Sequence, residues 1–159
     1  MIIRICCDMI AVSNTTAIIY LAEIDHLHIL RGLFGDVLVP EQVYREIKEP
    51  TKNKVVSCNW IKKVKIHSAK TYEYLTNIVH LHPGEAAAIT CALEKDANYL
   101  IMDETHARIE ANIIIKQNNL SLKIMSLPTM LKIAYKRKII QNYLDTLTNY
   151  IELDICHLV

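Results

Sequence analysis

Apolar positions along the chain form short runs that alternate with longer stretches of helical spacing. Residues 9–13 are a short apolar run ending at Asn14-Thr15-Thr16, polar residues that can cap a following helix. Over residues 17–33, Ile18, Leu21, Ala22, Leu27, Leu30 and Leu33 recur at mostly helical steps, and Gly32 and Gly35 supply a stop. A second strand at 37–39 leads into Pro40, placed for the first turn of a helix that carries Val43, Tyr44 and Ile47 and ends near Pro50. Residues 51–70 have the weakest pattern, with a strand predicted at 60–66. A helix follows at 69–79, and His82-Pro83-Gly84-Glu85 opens another that contains the strong helix formers Ala86, Ala87, Ala88, Ala92 and Leu93. Residues 98–103 read as a buried strand, 105–117 as a helix and 122–125 as a strand, with closing helices at 128–138 and 141–151. Strands alternating with helices predict βαβ units around a mostly parallel sheet, an α/β fold in one domain over residues 1–159. Such sheets bind ligands at the carboxyl ends of their strands.

Composition narrows this picture. A chain of 159 residues, 52% hydrophobic and 22% charged, can bury a core without disulfide or metal staples. With only 3 Gly and 4 Pro, the tight turns of a β-sandwich or barrel are largely missing. Eighteen Lys+Arg against 17 Asp+Glu leave a formal charge of +1, so anionic partners must be recognised by local patches. The scattered Cys6, Cys7, Cys58, Cys91 and Cys156 have no C-x-x-C spacing and suit reduced thiols in a cytoplasm. The apolar opening at residues 1–12 is interrupted by Arg4 and Asp8 and reads as a strand, not a signal peptide. No apolar run reaches the ~18 residues of a membrane-spanning helix.

Chemistry is expected at the strand ends. Asn14 follows the first strand and Asp103-Glu104 follows the strand over 98–103. Glu46 lies six residues beyond Pro40, and Glu85 opens the helix after Pro83-Gly84. Neither a Ser/His/Asp pattern nor a Gly-rich phosphate loop is present. Clustered oxygen donors suit Mg²⁺ or Mn²⁺, which activate water and neutralise charge building on a phosphodiester. Each residue also has a structural alternative: Asn14 as an N-cap, Glu85 as a partner of the helix dipole, Glu46 as a solvated face residue, and Asp103 as a cap. Two basic patches, Lys62-Lys63-Lys65 and Lys136-Arg137-Lys138, can neutralise RNA phosphates or lie on solvated faces.

Several segments together resemble PIN-domain proteins. These are Val12-Ser13-Asn14-Thr15-Thr16, Ala22-Glu23-Ile24, the stretch from Val39-Pro40-Glu41 to Arg45-Glu46-Ile47, Gly84-Glu85-Ala86-Ala87-Ala88-Ile89, and Leu100-Ile101-Met102-Asp103-Glu104 with Ala107-Arg108. The resemblance covers residues 10–145 and is to a small branch related to VapC-type toxins. It implies a three-layer α/β/α fold and a metal-dependent endoribonuclease, a toxin-like component of a toxin–antitoxin module acting in the cytoplasm. It places the four acidic positions on Asn14, Glu46, Glu85 and Asp103, with Glu104 beside the last. Glu46, Glu85 and Asp103 would be catalytic and would hold Mg²⁺ or Mn²⁺, with Asn14 and Glu104 as supporting ligands. RNA is the implied substrate and an antitoxin protein the implied partner; the apolar tail at 151–159 suits burial in a homodimer or against that partner. The pattern departs at Asn14, where most active members carry an aspartate. A neutral amide brings no negative charge to the cluster. This departure supports a second expectation, a non-catalytic PIN-like module that binds RNA or protein through a degenerate metal site.

Overall fold

The computed structural model describes residues 9–157, with side chains for residues 9–152. The strand reading over residues 1–8, with Cys6 and Cys7, and the side chains of the tail at 153–159, that of Cys156 included, lie outside what is described. Five short strands form one sheet: β1 (Ala11–Ser13), β2 (Val37–Pro40), β3 (Ile61–Val64), β4 (Tyr99–Ile101) and β5 (Lys123–Met125). Their order is β3-β2-β1-β4-β5, and every neighbouring pair is parallel. The inner strands AVS, VLVP and YLI are nearly all apolar because helices cover both of their faces. Lysines appear on the outer strands, where charge discourages pairing with another sheet edge.

Helices pack on both faces, giving the three-layer α/β/α arrangement. On one side lie α1 (Thr15–Glu23), α2 (His28–Phe34), α3 (Glu41–Glu46), α4 (Thr51–Val56), α8 (Leu127–Lys136) and α9 (Tyr143–His157). On the other lie α5 (Ala69–Glu73), which continues into a π turn at Tyr74–Ile78, then α6 (Pro83–Glu94) and α7 (Thr105–Gln117). The period-2 alternation of the strands divides the two cores. Ala11 belongs to the core that holds Ile18, Leu30 and Met130, whereas its neighbour Val12 belongs to the one that holds Leu75, Ile89 and Ala111. The alanines of α6 are fully buried and, being small, let that helix approach β1 and β2.

Four strands are shorter at their ends than the apolar pattern predicts, β2 extends one residue further to Pro40, and one helix differs in kind. The predicted helix over 17–33 is two helices, α1 and α2, separated where Asp25 takes a left-handed φ of 56°. The helix closes locally there, the His26 N–H donating to the Leu21 carbonyl at 2.7 Å and the Asp25 N–H to the Ala22 carbonyl at 3.3 Å. Lys54 of α4 adds a distant contact, its ammonium donating to the Ala22 carbonyl at 2.9 Å and pairing with Asp25 at 2.5 Å. That contact spans about thirty residues of sequence and has no local periodic signal. Likewise α3 stops at Glu46, because Ile47 turns extended and sends its own side chain into the core. The weakly patterned stretch contains the short helix α4.

Register brings two predicted site positions together. Ser13 pairs with Ile101, and the Asn14 backbone N–H donates to the Ile101 carbonyl at 3.2 Å. The carboxyl ends of β1 and β4 are therefore adjacent, with Asn14 leaving one and Asp103 the other.

Candidate functional site

Asn14 is 1% exposed and begins α1 as its N-cap. Its Oδ1 accepts from the Ala17 backbone N–H at 3.2 Å, and its Nδ2 is buried without a hydrogen-bond partner among the described residues. Thr15, next in the chain, turns its hydroxyl to Glu46 and donates to Oε2. The other oxygen of Glu46, Oε1, accepts from the Gly84 backbone N–H at 2.8 Å. Glu46 thus joins the end of β1, the end of α3 and the first turn of α6. A side chain at position 84 would collide with it, since a Cβ there would stand 2.8 Å from the Glu46 carboxyl carbon. Gly84 is needed for this close approach.

Glu85 lies one residue further into the same turn, and its Oε2 accepts from the His82 N–H at 3.1 Å in a capping box. Burial raises the Glu85 pKa. The His82 N–H opposes that rise, while the negative charges of Glu104 and Glu46 add to it. These three carboxylates therefore share one electrostatic neighbourhood. Glu104 is the N-cap of α7, its Oε2 accepting from the Ala107 N–H at 2.6 Å. Asp103 reaches across to the last strand, where its Oδ1 accepts from the Leu127 N–H at 2.8 Å at the start of α8. On α7, one turn beyond Glu104, Arg108 has its Nε buried without a hydrogen-bond partner among the described residues.

The acidic positions predicted from the sequence thus all lie at the carboxyl edge of the sheet. The structure separates the two basic patches. Lys62, Lys63 and Lys65 follow β3 toward that same edge, since Lys63 pairs in register with Val39 and Lys65 stands beyond the end of the strand. The second patch lies elsewhere. Helix α8 starts just past β5 and runs back along the sheet, so Arg137 lines a small cavity with Met9 and Tyr99, at the beginning of β1 and β4. Lys136, Arg137 and Lys138 are exposed at the opposite edge from the acids. A patch drawn from sequence carries no information about which end of a helix faces the site.

The three-layer fold agrees with a comparison against known families. A family model described as a PIN domain (DUF3368) matches residues 10–155. The chain belongs to the PIN-domain family. No curated protein and no solved structure matches it. Among its described residues, no helix is long and apolar enough to cross a membrane.

PIN domains generally use divalent metals, and the donor chemistry of this one fits a hard cation. Glu85 and Glu104 each commit one oxygen to a backbone N–H, a hydrogen bond that orients a carboxylate while its second oxygen remains for a ligand. Among the described residues, no three His, Cys, Asp or Glu side chains are gathered as a metal cage. Mg²⁺ tolerates this because it keeps several waters and is commonly held by one or two carboxylates and substrate phosphate. Glu46 and Asn14 fit less well as ligands: both Glu46 oxygens are engaged, and the Asn14 oxygen serves a helix cap. Sequence reading missed the Gly84 contact and the Leu127 N–H, although Pro83-Gly84 was a visible signal for the first.

Two outcomes follow. Gly84→Ala will displace the Glu46 carboxylate, the flexible end of its side chain, and will cost at most about 1 kcal/mol in urea unfolding, because better helix propensity offsets part of the loss. In the double-mutant cycle with Glu46→Ala that cost will largely disappear, and additive losses would show that Glu46 is not the obstruction. For Glu85, the raised folded-state pKa means that the folded form holds the proton more tightly than the unfolded chain. The ionised group therefore opposes folding above its folded pKa and has no such effect below the unfolded value of about 4.3. Glu85→Gln, which keeps an oxygen for the His82 N–H, will raise stability at pH 7.5 in chelator and lose that gain by pH 4. A difference independent of pH would refute the burial and repulsion account.

Proposed function

We propose that this PIN domain is a metal-dependent endoribonuclease, acting in the cytoplasm as the toxin-like component of a toxin–antitoxin module. The observation that carries the reading is the shared neighbourhood of Glu46, Glu85 and Glu104, where burial raises the Glu85 pKa and the charges of Glu104 and Glu46 add to the rise, at the edge where Asp103 also emerges. Like charges that destabilise one another are what a bound cation offsets. Glu85, Asp103 and Glu104 would hold Mg²⁺ or Mn²⁺, and Glu46 would position the first turn of α6 behind them. When bound, the cation supplies an activated water and neutralises charge on the phosphodiester.

The chain's own contribution is preorganisation. Backbone N–H groups of His82, Ala107 and Leu127 fix one oxygen of each carboxylate, so the acids need little reorientation during a reaction. Lys63 and Lys65, at the β3 end, would offset the repulsion between RNA phosphates and this acidic edge. A protein partner finds an apolar face on α9, where Leu144 and Ile151 are exposed seven residues apart. We assign that face to an antitoxin, with a second copy of the chain as the alternative occupant.

A specific observation favours a second reading, a non-catalytic module that binds RNA or protein. No three ligating side chains are gathered among the described residues, and Asn14 stands at the first acidic position. Incubation of purified protein with single-stranded RNA and Mn²⁺ separates the two readings. The wild type will cleave, and Asp103→Asn and Glu85→Gln will each cut slower by about 100-fold, the size of effect seen when a charge-stabilising group is lost. Equal cleavage by all three would indicate a contaminant. Binding of RNA by the wild type without cleavage would establish the non-catalytic module.

A further inference from the structure

Adjacent lysines on β3 have different surroundings. Lys62 donates to the Asn59 carbonyl at 2.7 Å and stands 3.7 Å from the Asp36 carboxylate, so its charge is engaged locally. Lys63 points to the other face of the strand and places its Nζ over the Tyr44 ring, 5.4 Å from the centroid. Lys63 makes no ion pair among the described residues. Tyr44 is half-buried and packs on the core, which fixes its ring; it stands two residues before Glu46 on α3, a spacing that sends the two side chains from different faces of the helix. Lys65 is exposed just beyond the end of β3.

An anchored ring, an available ammonium and a second lysine at the same sheet edge as the carboxylates combine the two chemistries that hold a single nucleic-acid strand, stacking on a base and neutralising its phosphates. We propose that Tyr44 and Lys63 form a single-strand RNA subsite flanking the carboxylates. A base stacks on the Tyr44 ring, and Lys63 moves from the ring to the adjoining phosphate, with Lys65 serving the next. This exchange is favourable because an exposed cation–π contact is weak beside base stacking. Duplex RNA has its base faces covered by neighbouring bases, so the subsite selects unpaired strands. Lys62 lies outside it. The inference deepens the nuclease reading and rests on it for the identity of the ligand.

The test measures binding without cleavage, by fluorescence anisotropy of a short labelled oligoadenylate in chelator. Tyr44→Ala will weaken binding about tenfold, and Tyr44→Phe, which keeps the ring, will bind as the wild type does. Should Tyr44→Ala fail to fold, Tyr44→Leu retains apolar packing and removes only the stacking face. Lys63→Ala will weaken binding and lower the salt slope by about 0.7, the value for one phosphate on a single strand. Lys62→Ala will change neither. Equal effects of the two lysine substitutions, or full binding by Tyr44→Leu, would overturn the subsite. So would tighter binding of an oligoglutamate that needs Lys63 but not Tyr44, since it would mark a surface for an acidic protein. If the strand binds as expected but no metal supports cleavage, the subsite stands and the nuclease reading fails. If RNA is cleaved but Tyr44→Leu and Lys63→Ala bind and cut normally, only the subsite fails.

Discussion

The acidic edge depends on one carboxylate placed where a side chain would otherwise be. Glu46 accepts from the Thr15 hydroxyl and from the Gly84 N–H, in space that a Cβ at position 84 would fill. Through these two bonds it ties the first strand–helix junction to α3 and to the amino-terminal turn of α6. That turn presents backbone donors and the positive end of a helix dipole, which together stabilise a carboxylate. The same turn carries Glu85. The position of one acid is thus set by the hydrogen bonding of another, and the site is built as a connected unit.

Backbone geometry explains how so much negative charge is retained in one place. Each of Glu85, Asp103 and Glu104 has an oxygen on the N–H at the start of a helix or its cap. Helix starts have amide donors without intrahelical partners, and a parallel sheet with crossover helices brings several of them to one edge. The topology therefore supplies donors where the acids emerge. Burial and mutual repulsion still raise the Glu85 pKa, so this local compensation is incomplete. A cation completes it in the nuclease reading, whereas charge complementarity with a protein could do so in the alternative.

Much of the fold was legible because strand and helix signals alternate, and because the buried inner strands are apolar on both faces. The legible parts were those with local signals: apolar β1 and β4, Pro40 before α3, and the alanine-rich α6. Long-range contacts account for what was not. Lys54 of α4 bonds across the junction of α1 and α2, and neither periodicity nor capping near residue 25 announces a partner so distant in sequence. The acids were found from their places after strands, but the engagement of both Glu46 oxygens was not, since it requires Thr15 and Gly84 to meet across the sheet edge. The two lysine patches looked alike as strings of charge. They differ because β3 runs toward the acids and α8 runs away from them.

The sequence by itself determined the class of fold, the family and the residue types available for chemistry. These follow from local periodicity, from capping residues and from motifs whose order along the chain is their information. Only the tertiary structure decided which oxygen of each acid is already engaged, which lysines share an edge with them, and that Lys63 rather than Lys62 lies over Tyr44. Those outcomes depend on register and on helix direction. They arise when separate segments are brought within hydrogen-bonding distance, a constraint that acts through space and leaves no periodic trace along the chain.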